Sequence, residues 1–320
     1  MSANKSLFLA AVMALGLATG AAADTYPSKL VRIVIPFAPG GLVDVHARAL
    51  ANELGKVWKS GVVVENVPGA ANNIAAERVA RSAPDGYTIF VGNNGPLVNN
   101  PYLFKTLGYD PAKDFEPVVA MYAAESAFII KNDIPAKNLR EFVELAKKKP
   151  GAFNYGSHGI GSNTHIEIEL FSRQLGIQLT HIPFKGDAAP VIERGEVDAG
   201  ITSAAAGQIA RGTVRPVSLL NDKRSHVLPK VATPQEEGFK PFISLPFFGL
   251  VVPKGTPQPV IETIAKEAGR ISQDPVFVEK VIHGGGLVPF VLGPKDFGKF
   301  LDEQRKAAAT NIPSLNIPMN

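Results

Sequence analysis

One loop of the chain collects hydroxyl, imidazole and carboxamide side chains between glycines, in the sequence GSHGIGSNTH at residues 156–165. A helical pattern follows, so the glycines come where a helix begins. The first N–H groups of a helix lack intrahelical partners and lie at the positive end of its dipole, which favours a carboxylate or phosphate. Ser162 or Asn163 could cap this helix. We predict that at least one of Ser157, Ser162 and Asn163 contacts an anion.

The same loop allows a second interpretation, in which Ser157 or Ser162 is a nucleophile and His165 is its base. Ser157 lies in GSHG and Ser162 in GSNT, so neither has the Gly-x-Ser-x-Gly setting of the strand-to-helix hydrolases. No acidic residue stands out as the third member of a triad. We therefore interpret the histidines as packing or capping residues and keep a hydrolase as an alternative.

The chain has six histidines and no cysteine. No His-Glu-x-x-His or paired-carboxylate spacing occurs, and without cysteine a closed zinc site would need ligands from distant segments. The sequence therefore predicts no metal and no cofactor. The absence of cysteine also excludes disulfides and cysteine nucleophiles, and it suits an exported protein in an oxidising compartment.

A second glycine turn, Pro39-Gly40-Gly41, separates a β-branched segment from a helical pattern that runs to Trp58. Glycine permits the sharp turn and again exposes helical N–H groups to an anion, although a turn that binds nothing fits equally well. The turn is neither a P-loop, since no Gly-Lys-Ser/Thr follows, nor a dinucleotide fingerprint, since the third glycine is missing. Asp44, in the first helical turn, could complement the dipole or accept a hydrogen bond from a ligand or water.

These loops need elements that place them on one side of a sheet. The unit of strand, glycine turn and helix recurs after the β-type segments at residues 62–65 and 153–155, and a polar loop follows another at residues 87–91. Strands that alternate with helices at this spacing predict parallel sheets with right-handed crossovers. The general rule for open parallel sheets places a ligand at the carboxyl ends of such strands.

The segment VVAMYAAESAFIIKND, at residues 118–133, is too long for one ordinary strand and can serve two sheets. We place one crossing near Ala123 and a return near Phe247. The prediction is an α/β fold of two lobes, residues 24–123 with 248–320 and residues 124–247, each a mostly parallel sheet flanked by helices. Two hinge strands would join the lobes around a ligand cleft, as in a type II periplasmic binding protein.

The charge balance and the N-terminus indicate where the chain works. It has 33 basic and 29 acidic residues among 320, and this mild excess forms no stripe typical of nucleic-acid binding. Lys5 precedes a short apolar run that ends at Ala21-Ala22-Ala23, the layout of a secretory signal peptide. We expect cleavage near Ala23, after residues 1–23, and a mature protein in the periplasm.

Several long motifs resemble one known family. They are YPSKLVRIVIPFAPGGLVDVHARALANEL, VVVENVPGAANNIAAERVARSAPDGYTIFVGN, NYGSHGIGSNTHIEIELF, HIPFKGDAAPVIERGEVDAG and FFGLVVPKGTP, in this order. The chain resembles the tripartite tricarboxylate transporter receptors, also called the Bug (Bordetella uptake) family of extracytoplasmic solute-binding proteins. The resemblance implies a periplasmic receptor whose lobes close on a small carboxylate, held by main-chain amides, hydroxyls and water, for a membrane permease of one large and one small subunit.

Carried over position by position, the resemblance implies ligand contacts in both lobes. They are Phe37, Pro39, Gly40, Gly41, Asp44, Asn93 and Asn94 in the first lobe, and Ser157, Gly161, Ser162, Asn163, His165, Lys185, Gly186 and Thr202 in the second.

The sequence departs from the family pattern at Val67, at residues 70–73, and in the small neutral run AGITSAAAGQI. These departures suggest a bulkier or less charged carboxylate, such as an aromatic acid, beside the di- and tricarboxylates of the family. A receptor that feeds a signalling partner instead of a permease is a further alternative. We expect a monomer.

Overall fold

The computed structural model describes residues 26–184, 186–225 and 227–318. The predicted signal peptide, with its cleavage position, lies outside these residues. The described residues form the following strands: β1 (Val31–Ile35), β2 (Val62–Asn66), β3 (Thr88–Asn93), β4 (Phe115–Ala124), β5 (Ser126–Ile130), β6 (Asn154–Ser157), β7 (Thr180–Pro183), β8 (Ala199–Ser203), β9 (Arg215–Leu219), β10 (Phe247–Pro253) and β11 (Leu287–Leu292).

The α-helices lie mainly between these strands. They are α1 (Leu42–Trp58), α2 (Asn73–Ala80), α3 (Leu139–Lys148), α4 (Asn163–Leu175), α5 (Ala188–Glu193), α6 (Gly207–Ala210), α7 (Gln258–Ile271), α8 (Pro275–Phe277) and α9 (Pro294–Ser314). Single π-helical and 3₁₀ turns follow β3 and α8. No helix in the described part of the chain is both long and apolar enough to cross a membrane.

The strands form two sheets, in the orders β11-β4-β10-β3-β1-β2 and β7-β6-β8-β5-β9. In each sheet three neighbouring strands are parallel, β3-β1-β2 and β7-β6-β8, as the strand and helix alternation predicts. The remaining pairings, made by β10, β4, β11, β5 and β9, are antiparallel. The two-lobe α/β prediction therefore holds, with sheets that are mixed instead of mostly parallel.

Helices cover both faces of the first sheet, which explains why its strands are mainly apolar. Apolar side chains of α1 and α7, such as Leu54 and Ile264, are fully buried on one face. On the other face, α2 and α9 contribute Val79 and Phe297. A side chain at Gly249 of β10 would meet the Phe297 ring, since a Cβ atom there would lie 2.5 Å from its Cζ. Glycine thus lets α9 pack closely on this sheet.

Two segments connect the sheets. On one side, Glu125 alone separates β4 of the first sheet from β5 of the second. On the other side, the chain returns without a regular strand before β10, and the Pro246 carbonyl accepts a hydrogen bond of 2.8 Å from the Ala124 N–H. The Ser244 hydroxyl donates a hydrogen bond of 2.9 Å to the Ser126 Oγ, which joins the two connections.

Candidate functional site

The loop at residues 156–162 leads from β6 into α4, as the sequence predicts. Ser162 caps the helix, because its Oγ accepts a hydrogen bond of 3.3 Å from the His165 N–H. Gly159 and Gly161 have φ angles of +117° and +75°, which residues other than glycine rarely adopt. The loop therefore depends on its glycines to bring the start of α4 to the carboxyl end of β6.

The serines and histidines of this loop do not form the pairs that the hydrolase alternative needs. Ser157 is only 1% exposed, and its Oγ lies 2.7 Å from Nε2 of His181, not beside His165. The His165 Nδ1 instead accepts a hydrogen bond of 3.0 Å from the Gly161 N–H. The Ser162 hydroxyl is occupied by the helix cap. Neither serine is hydrogen-bonded to the His165 ring, so the described residues do not form the nucleophile and base pair on which the hydrolase alternative depends.

The imidazoles of His165 and His181 stack with their centroids 3.9 Å apart, and Tyr155 stacks on His181 at 4.9 Å. Burial lowers the pKa of His181 to about 4, with a further lowering from His165. Burial also lowers the pKa of His165. Both rings are therefore neutral at pH 7, which agrees with the prediction that His165 is a packing and capping residue.

The first loop, at Pro39, Gly40 and Gly41, is exposed, and the buried Asp44 holds it in place. Asp44 is 4% exposed, and its carboxylate accepts hydrogen bonds from the Gly40 N–H (2.9 Å), Arg48 Nε (3.0 Å) and Asn66 Nδ2 (2.8 Å). The hydrogen bond from Arg48 is the main reason why the pKa of Asp44 is lowered to about 2. Both carboxylate oxygens are thus engaged in holding the loop to the ends of β1 and β2.

Two of the remaining predicted residues, Thr202 and Gly186, lie at the exits of later strands. Thr202 is buried and donates a hydrogen bond of 2.8 Å to Asp187, the N-cap of α5. Gly186 borders open space, since a Cβ atom there would meet no heavy atom within 4 Å. Lys185 lies outside the described residues.

A cavity of about 190 Å³ lies between the two halves of the molecule, and we call it the cleft cavity. Six asparagines line it: Asn72, Asn93, Asn94, Asn99, Asn100 and Asn163. The rest of its wall is small or apolar and consists of Ala71, Gly95, Leu103, Gly161, Ser162, Pro246 and Phe248. None of the described residues in this wall is charged, so a ligand there would meet amide dipoles, a hydroxyl and main-chain groups.

Hydrogen bonds between asparagines order this wall. Asn99 Nδ2 donates to Asn163 Oδ1 at 3.1 Å, which connects the loop after β3 to the first residue of α4. Asn100 Nδ2 donates to Asn73 Oδ1 at 2.6 Å and to the Ala71 carbonyl at 3.0 Å. Carboxamides that are bonded in this way present fixed donors and acceptors to a ligand.

One stretch of the wall has an unusual backbone. Ala70, Ala71 and Asn72 have φ angles of +46°, +50° and +76°, so three consecutive residues other than glycine are left-handed. Each such residue costs about 1–2 kcal/mol, and this strain persists only where the surroundings impose it. The hydrogen bond from Asn100 to the Ala71 carbonyl is one such constraint.

The structure brings five of the predicted residues together at the cleft cavity, namely Asn93, Asn94, Gly161, Ser162 and Asn163. Phe37 does not line the cavity itself but packs against Phe248 of the wall, with the ring centroids 6.2 Å apart. The other predicted residues that the structure describes do not line this cavity: Pro39, Gly40, Gly41, Asp44, Ser157, His165, Gly186 and Thr202.

The sequence reasoning missed Asn72, Asn99 and Asn100. They belong to two Asn-Asn doublets, at residues 72–73 and 99–100, and a third doublet is formed by the predicted Asn93 and Asn94. The position of these three doublets after β2 and β3 could have indicated them as cavity residues, because carboxamides near strand ends are natural ligand contacts. For metals, no group of three or more histidine, aspartate or glutamate side chains lies together among the described residues.

Comparisons with known proteins agree with this architecture. Residues 46–317 match the family described as tripartite tricarboxylate transporter family receptor. The chain belongs to this family. A UPF0065 protein of Bordetella pertussis is 31% identical over 97% of this receptor and 96% of its own length. BugT of the same organism is 30% identical over 90% of both chains. The resemblance noted in the sequence is therefore confirmed.

Solved structures extend the comparison to ligands. An R. palustris protein solved with adipate has a TM-score of 0.80 and 26% identity, and the match covers 92% of this receptor and 100% of that chain. MatC from Rhodopseudomonas palustris, solved with bound malate, has a TM-score of 0.74 and 28% identity over 90% and 100% of the two chains. The periplasmic binding protein BugD has a TM-score of 0.75 and 30% identity over 92% and 100%. The fold is that of family solute-binding receptors.

Proposed function

We propose that this receptor works in the periplasm, where it captures a small carboxylate by closing two lobes around the cleft cavity. The observation that carries the proposal is the wall of this cavity, where the described residues contribute six asparagines, one serine hydroxyl and the start of α4 but no charged side chain. Amide donors and a helix N-terminus suit a carboxylate. The apolar surface of Phe248 and Leu103 suits a carbon chain.

The size of the cavity favours a small ligand. At about 190 Å³ it is smaller than the cavities of about 300–1,000 Å³ that hold drug-sized molecules. Relatives solved with adipate and with malate are consistent with an acid of this size. We therefore favour a short aliphatic acid over the bulkier aromatic acid that the sequence departures suggest.

Closure would complete the site from the first lobe. Gly40 and Gly41 are exposed, and Gly41 precedes α1 without a side-chain cap, so the first N–H groups of this helix are open to an anion. Phe37 adjoins the wall through Phe248. The lobes are residues 24–123 with 248–320 and residues 124–247, and they would rotate about the two connections at Glu125 and before β10. A membrane permease with large and small subunits would receive the acid.

The test is calorimetry and thermal unfolding of the purified protein with mono-, di- and tricarboxylates, aromatic acids and amino acids. A ligand at one hundred times its dissociation constant stabilises the native state by about 2.7 kcal/mol. The substitution Asn93→Leu in the cavity wall should abolish this shift, whereas Asn52→Leu on the exposed face of α1 should keep it. Equal binding by both variants, or no binding of any carboxylate, would refute the proposal.

A further inference from the structure

A larger cavity of about 500 Å³ lies behind the cleft cavity, and we call it the rear cavity. It is bounded by α4, by α9 and by residues 242–245 of the second connection. Asn94, Asn99 and Asn163 belong to the walls of both cavities. A change on the rear side can therefore reach the cleft cavity through the hydrogen-bonded pair Asn99 and Asn163.

Glu167 lies on the rear cavity one helical turn after Asn163. Its Oε1 accepts a hydrogen bond of 2.7 Å from Asn163 Nδ2. Its Oε2 is inaccessible to solvent and has no hydrogen-bond partner in the described part of the chain. A buried carboxylate oxygen without a partner is costly when it is charged and is a natural place for a proton.

Among the described residues, no cation lines the rear cavity beside Glu167. On the facing helix α9, Glu303 is the titratable residue of the rear cavity wall, and residues 94–99 and 242–245 contribute none. No lysine, arginine or histidine among the described residues lines either cavity. Burial raises the pKa of Glu167 to about 7, and the nearby polar groups of Ser244 and Asn163, which lower the pKa, oppose this only in part.

We infer that Glu167 is a positioning residue of the carboxylate site and takes up a proton when a carboxylate binds beside Asn163. This inference rests on the proposed function, which places an anionic ligand in the cleft cavity. The proton comes from solvent and forms an O–H bond at Oε2 of Glu167, and no other covalent bond changes. The neutral carboxyl group keeps Oε1 as an acceptor, so the Asn163 carboxamide keeps its orientation and its bond to Asn99.

The physical reason is the sharing of one amide group by two anions. Asn163 Nδ2 carries two hydrogens, and one of them is donated to Glu167. A ligand carboxylate that accepts the second hydrogen is bridged to Glu167 through a single nitrogen atom. Two like charges at such a separation, with no cation nearby, raise the pKa of one of them. Protonation of Glu167 removes this repulsion.

Calorimetric titration with adipate and with malate tests the inference, at pH 7 in two carboxylate-free buffers of different ionisation enthalpy. If the ligand raises the pKa of Glu167 by about one unit from neutrality, binding takes up about 0.4 proton at pH 7. The affinity then falls about sixfold between pH 6.5 and pH 8.5. In Glu167→Gln this dependence should shrink to less than about twofold, because the side chain is neutral throughout.

Glu303→Gln is the matched control, since it removes the other carboxyl group of the same cavity and should keep the pH dependence of the wild type. Binding without proton uptake, or a pH dependence that survives in Glu167→Gln, overturns the inference and leaves the proposed function in place. Absence of binding by any carboxylate refutes the proposed function and this inference with it. If Glu167→Gln does not fold, the proton uptake of the wild type decides the inference.

Discussion

Asn99 Nδ2 donates a hydrogen bond of 3.1 Å to Asn163 Oδ1, and this bond joins the loop after β3 to the N-terminus of α4. Its two residues come from opposite sides of the cleft cavity, so the bond is sensitive to the relative position of the two halves. Both carboxamides also have groups left over for a ligand. The pair is therefore a natural place to test whether this cavity binds.

Substitution Asn99→Ala should weaken carboxylate binding more than it weakens the fold. Loss of one partly exposed neutral hydrogen bond costs about 0.5–1.5 kcal/mol of unfolding free energy. Affinity for adipate or malate should fall at least about fivefold, because Asn163 loses one of the hydrogen bonds that orient it and the Asn99 carboxamide is lost as a donor. Denaturant unfolding and calorimetry measure the two effects. Asn52→Ala, on the exposed face of α1, is the control, and an affinity in Asn99→Ala equal to that of the control contradicts the expectation.

Substitution Asp44→Asn should release the first loop. The neutral side chain loses the ion pair with Arg48 and weakens the hydrogen bond from the Gly40 N–H, so the melting temperature should fall by several degrees. The pair of Lys131 with the exposed Asp133 provides the comparison, since Asp133→Asn should change the melting temperature much less. Equal changes in the two variants would show that Asp44 does not hold the loop.

Substitution Ala71→Gly should leave the protein as stable as before or stabilise it by up to about 1 kcal/mol. Glycine relieves the cost of the left-handed conformation at φ +50°, and this offsets the added freedom of the unfolded chain. The same change at the exposed Ala309 of α9 should destabilise the protein by about 1 kcal/mol, because that backbone is helical. Urea unfolding measures both, and a loss at Ala71 as large as that at Ala309 is the contrary result.

Protonation of His181 should lower the free energy of unfolding as the pH falls. Its native pKa of about 4 lies below the ordinary value of 6.5, so the unfolded chain binds more protons between pH 6.5 and pH 4. The contribution is complete above pH 6.5 and is lost as the pH falls through that window. Because the ring is partly exposed, we expect a loss of about 1 kcal/mol. Urea unfolding at several pH values, with His181→Gln as the variant, measures it.

Glu167 works in the opposite sense and has to be separated from His181. Its native pKa of about 7 lies above the ordinary value of 4.5, so its contribution is present below pH 4.5 and is lost as the pH rises through 7. Measurements in a Glu167→Gln background therefore remove this opposing contribution, and the further change caused by His181→Gln in that background reports on His181. His158→Gln, in the loop after β6, is the control and should keep the acid sensitivity. Loss of the acid sensitivity in this variant would contradict its assignment to His181.

The elements with strong local patterns were predictable. The β-branched run of β1 predicts a strand, and the apolar spacing of α1 predicts a helix. The glycines between them indicate a sharp turn. The same holds for β6, the loop to α4 and the cap at Ser162. The edge strand β11 (Leu287–Leu292) was not predicted, because Pro289 interrupts its pattern and glycines precede it. Proline is tolerated there because β11 pairs on one side only, with β4.

The cavity wall was predictable only in part, because its residues come from segments that are far apart in the chain. Asn163 could be proposed from its own loop, whereas Asn99 becomes a wall residue only when α4 packs beside the loop after β3. The partner of Ser157 shows the same limit. His165 is nearer in sequence, but the pairing of β6 with β7 places His181 against the Ser157 hydroxyl. Tertiary pairing, not local spacing, decides such contacts.

The neutral wall of the cleft cavity also bears on the medium in which a receptor of this kind works. Attraction to an exposed lysine or arginine is screened within about 8 Å at an ionic strength of 0.15 M and weakens further as salt is added. Carboxamides, a hydroxyl and main-chain N–H groups act through short-range directional contacts that dissolved ions hardly attenuate. If the proposed function holds, binding of an anion by the described residues of this wall should therefore depend only weakly on ionic strength.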